Sequence, residues 1–73
     1  MIRIRKFSPI DREYPIFEVT DQNDVVLFDV AMTDDGALEI GFHNGIAGQT
    51  LPVLEFKRLL NEAIGLASDK NIQ

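Results

Sequence analysis

The segment Leu51 to Ala67, LPVLEFKRLLNEAIGLA, carries a helical period that constrains everything before it. At about 100° per residue, Val53, Phe56, Leu59, Leu60, Ala63, Ile64, Leu66 and Ala67 fall on one arc roughly 160° wide. Glu55, Lys57, Arg58, Asn61 and Glu62 occupy the facing arc, with Leu54 set among them between Asn61 and Arg58. A helix of this kind needs an apolar surface to lie on. Thr50 is expected as its N-cap and Pro52 in its first turn, where a missing N–H costs nothing.

The rest of the chain supplies that surface as strands. MIRIRKF alternates, with Ile2 and Ile4 on one side and Arg3, Arg5 and Phe7 on the other. SPIDREYP has a proline near each end and reads as a loop. IFEVT, VVLFDVAM and ALEIGF are strand runs separated by DQND and TDDG, both turn-forming, with Gly36 expected at a positive φ. The fold class expected is α+β: a four-stranded antiparallel meander with one C-terminal amphipathic helix packed on one face. Residues 1–68 form the domain and 69–73 a flexible tail.

One sheet face is uniformly apolar: Ile2, Ile4, Phe17, Val19, Val26, Phe28, Val30, Met32, Leu38, Ile40 and Phe42. The helix should cover it. The second face mixes Arg3, Arg5, Glu18, Asp29 and Glu39 with Ile16, Val25, Leu27, Ala31 and Ala37. A fully solvated face does not need that many apolar side chains. Ile16, Val25, Leu27 and Ala31, together with Leu54 on the helix, are therefore the expected interface residues, and a homodimer is the expected assembly.

Charge is unevenly spread. Residues 1–12 carry Arg3, Arg5, Lys6 and Arg12 against Asp11. From Glu13 to Phe56 there are nine carboxylates and no Lys or Arg, within a net charge of −5. Such a field attracts basic partners and repels phosphate backbones. No cysteine is present, which excludes disulfides and thiolate chemistry. No apolar run approaches the ~20 residues of a membrane span. A cytoplasmic protein with no membrane association is expected.

Catalytic signals are missing from the sequence. His43 is the only histidine and is expected in a loop. Asp21, Asn23 and Asp24, or Asp34 and Asp35, lack the ligand spacing of a calcium loop and read as turn chemistry. Gly45 and Gly48 match no phosphate-binding fingerprint. The expectation is a non-enzymatic chain with no cofactor and no metal site.

From Gly48 to Leu60, GQTLPVLEFKRLL resembles the segment leading into the helix of the transcriptional positive-coactivator family. Gly48, Thr50, Leu51, Glu55, Phe56, Lys57, Leu59 and Leu60 carry the likeness. The resemblance implies a curved four-stranded meander with a C-terminal helix, dimerising to bind single-stranded nucleic acid. On this chain Arg3, Arg5 and Lys6 would serve that role. The family lines its sheet with basic and aromatic residues, and the strands after Glu13 here have no basic residue. The expected function is therefore a small acidic interaction module binding a basic protein surface, of the inhibitor, immunity-type or regulatory kind. Coactivator-like binding and a purely self-associating domain are the alternatives, and nucleic acid is not the expected partner.

Overall fold

A computed structural model describes residues 2–68. The tail expected at 69–73 lies outside them. The described chain forms β1 (Arg3–Phe7), β2 (Ile16–Thr20), β3 (Val26–Met32), β4 (Leu38–Phe42), a short 3-10 turn over Asn44–Ile46, and α1 (Val53–Ser68). The strands form one antiparallel sheet in the order β1-β2-β3-β4, with α1 packed on one face, mainly against β2 and β3. The fold is α+β, as the periodicities imply.

Turn chemistry sets the ladder. Asp21 Oδ1 accepts from the N–H groups of Asn23 (2.8 Å) and Val25 (3.0 Å), while Asp24 takes φ 63°. In the next turn the Thr33 N–H donates to the Ala37 carbonyl at 2.7 Å, and Gly36 adopts φ 90°. A positive φ suits glycine because no Cβ meets the carbonyl. That turn fixes β3 against β4, pairing Val30 with Ile40 and Asp29 with Gly41.

The core gathers Phe17, Val19, Leu27, Phe28 and Val30 from the sheet and Leu59, Ala63 and Ala67 from the helix. Phe28 packs its ring on Phe56, with centroids 5.4 Å apart. Two of the expected interface residues need correction. Leu27 belongs to the core and is 1% exposed. Val19 pairs with Phe28 but Thr20 pairs with Val26, so Leu27 is an extra residue, a bulge that turns it toward the helix. Ala31 is also buried, its methyl set between the longer Ile16 and Glu39 on the ladder.

The helix begins two residues later than its apolar arc suggests. The Phe56 N–H donates to the Pro52 carbonyl at 2.9 Å, which makes Pro52 the capping position. Thr50 stands two residues outside it and does not cap. On the polar side, Arg58 pairs with both Glu55 (3.9 Å) and Glu62 (3.5 Å), as their spacing implies.

Candidate functional site

The sheet face away from α1 carries a transverse row of charge. Arg5, Glu18, Asp29 and Gly41 are successive ladder partners across all four strands. Glu18 and Asp29 stand directly opposite, where like charges repel. Each is drawn outward by its own partner. Arg5 donates to Glu18 Oε1 at 3.0 Å, and His43 Nε2 lies 2.6 Å from Asp29 Oδ2.

His43 lies in the loop just past β4, as expected, and is held there by hydrogen bonds. Its N–H donates to the Leu27 carbonyl at 3.0 Å, so it prolongs the β4 ladder. Nothing in its composition marked this link, but the register did. The Thr33–Ala37 turn places Gly41 opposite Asp29, and His43 is the next residue on that face. Among the described residues His43 contacts no hydroxyl through a hydrogen bond; Ser68 Oγ donates instead to the Ile64 carbonyl. Among the described residues no group of three or more His, Cys, Asp or Glu side chains is arranged to hold a metal ion.

A cavity of about 170 Å³ opens beside the β1–β2 loop, lined by Lys6, Ser8, Arg12, Glu13, Tyr14 and Pro15. It falls short of the ~300 Å³ at which small-molecule pockets begin.

The three nucleic-acid candidates do not form one groove. Arg3 pairs with Asp24 and Arg5 with Glu18 on the outer face. Lys6 lies on the opposite side of β1, in register with the core residue Phe17. Of the expected interface residues, Ile16 is half-buried on β2, Val25 is exposed just before β3, and Leu54 is exposed on the first turn of α1. Leu27 and Ala31 are buried, so the expected patch is not brought together.

A different apolar surface is exposed instead. Leu38, Ile40 and Phe42 share the face of their ladder partners Met32, Val30 and Phe28, on the helix side of the sheet. The helix does not cover them. They are 41%, 40% and 64% exposed. At the turn preceding this strand, Asp34 and Asp35 are exposed. Asp34 accepts from the Glu13 N–H at 3.4 Å and Asp35 from the Thr33 hydroxyl. Among the described residues, no ion pair reaches Asp34, Asp35 or Glu39.

Comparison with protein-family models, curated proteins and solved structures finds no match to this chain. No described helix is long and apolar enough to cross a membrane.

Proposed function

We propose that the chain is a small acidic, non-catalytic interaction module whose partner presents a basic protein surface. Inhibitor, immunity-type and regulatory proteins are the classes that work this way, and we place this one in the cytoplasm. One observation supports the reading above the others. The described arginine pairs engage Asp24, Glu18, Glu55 and Glu62, whereas Asp34 and Asp35 on the β3–β4 turn and Glu39 on β4 are exposed and in no ion pair among the described residues. A basic surface docked there gains attraction and loses no internal ion pair.

The coactivator-like alternative has less support. A single-strand binder needs a positive groove with aromatic platforms. Here Arg3 and Arg5 are already engaged by carboxylates, and Lys6 lies on the other face. Self-association is the second reading we keep, because the exposed β4 strip favours it.

The test is recovery of the partner from the source cells, followed by binding of the purified pair. A basic partner is expected, and reversing Asp34, Asp35 and Glu39 to lysine should weaken it by at least about tenfold, the equivalent of ~1.4 kcal/mol. A partner indifferent to the reversal overturns the reading. So does submicromolar binding of a labelled single-stranded oligonucleotide near physiological salt, about 0.15 M.

A further inference from the structure

The two edges of the sheet are built differently. β1 carries Arg3, Arg5 and Lys6, the kind of charge that discourages strand addition. β4 reads LEIGF and has neither a basic residue nor a proline. Its ladder to β3 uses alternate residues. The Ala37 carbonyl accepts from Thr33 and the His43 N–H donates to Leu27, so Ala37, Glu39, Gly41 and His43 direct their backbone groups inward. Leu38, Ile40 and Phe42 therefore direct theirs to the open edge. These are the same three residues whose side chains the helix leaves exposed.

We propose that this edge is a homodimer seam, in which β4 of a second copy adds antiparallel with the twofold axis at Ile40. The proposal deepens the self-association reading and is independent of the basic partner. The sequence of the strand argues for a second copy as the occupant. With Ile40 opposite the partner's Ile40, Leu38 meets the partner's Phe42 and Phe42 meets the partner's Leu38. All three outward-facing residues on each strand then pair, and any slip by two leaves one unpaired. On the outer face Glu39 falls opposite the partner's Gly41, which has no side chain to oppose it. Its diagonal neighbours are the partner's His43 and the partner's Glu39, at the longer spacing of about 7–8 Å. No carboxylate directly opposes another. Asp34 and Asp35 lie beyond the paired segment and stay exposed in the dimer, while Glu39 lies within it on the outer face.

Sedimentation equilibrium and amide exchange on the full chain test this together. The wild type should reach dimer mass within the micromolar range, and Ile40→Lys should stay monomeric at every concentration where the wild type dimerises. Leu54→Lys, on the exposed first turn of α1, should leave the dimer intact. Circular dichroism confirms that each variant is folded, and exchange needs no variant. In the wild type the amides of Leu38, Ile40 and Phe42 should gain protection as concentration rises. A wild type monomeric up to several hundred micromolar overturns both self-association and the seam. A dimer with concentration-independent exchange at Leu38, Ile40 and Phe42 overturns the seam alone.

Discussion

His43 Nε2 lies 2.6 Å from Asp29 Oδ2, and the residue that makes room for this contact is Gly41, opposite Asp29 on the ladder. A Cβ at Gly41 would sit 3.0 Å from Asp29 Oδ1, so a side chain there requires the carboxylate to give by a few tenths of an ångström. Glycine otherwise weakens a strand. The two effects separate in a double-mutant cycle. Gly41→Ala should destabilise the wild type yet stabilise an Asp29→Ala background, with a coupling of about 0.5–1 kcal/mol. Urea unfolding of the four proteins checks it. Additive effects would mean that Gly41 is not there for Asp29.

The two arginine pairs of β1 should differ in weight. Arg3 and Asp24 are both mostly exposed, and such pairs are worth little. Arg5 holds Glu18, which is largely covered and faces Asp29 across the ladder. Arg3→Ala should therefore change stability by no more than ~0.5 kcal/mol, and Arg5→Ala should cost roughly 1 kcal/mol more. Equal losses in thermal melts would contradict this difference.

The sequence showed the strands, turns and helix because two periods, 2 and 3.6, run through it with glycine and aspartate between them. What it hid has physical reasons. A bulge adds one residue without changing composition, so counting by twos puts Leu27 on the wrong face. The period also says which way Leu38, Ile40 and Phe42 point, but not how far a cover extends. A helix about 10–12 Å across cannot shield four strands spaced about 4.8 Å apart. The outermost strand is left open. Likewise, Arg3, Arg5 and Lys6 are neighbours in sequence, and pleating splits them between faces.

The sequence assigns Leu27 and Leu54 alike to an interface, and in the structure they are opposites, 1% and 80% exposed. Leu27→Ala should cost about 2–5 kcal/mol, a large share of what a small domain has. Leu54→Ala should stay within about 0.5 kcal/mol. Chemical denaturation of the two variants side by side measures the contrast. A near-silent Leu27→Ala would show that the bulge does not turn this side chain inward.

Among the described residues Thr20 is the one buried polar side chain, and its hydroxyl has no hydrogen-bond partner there. It stands where the ladder shifts, paired with Arg3 on one side and Val26 on the other. A buried hydroxyl that gives up water and gains nothing costs about 1–3 kcal/mol. Valine has nearly the same shape, suits a strand, and carries no polar atom to satisfy. Thr20→Val is therefore expected to stabilise the chain, by about 1 kcal/mol, with the sheet register unchanged. Thr20→Ser keeps the hydroxyl and removes a methyl, so it should destabilise. Denaturant midpoints for the three proteins give the order Val, Thr, Ser if the hydroxyl is unsatisfied. If valine instead lowers stability, the hydroxyl has a partner such as a bound water, and the bulge is held by that bond rather than by packing alone.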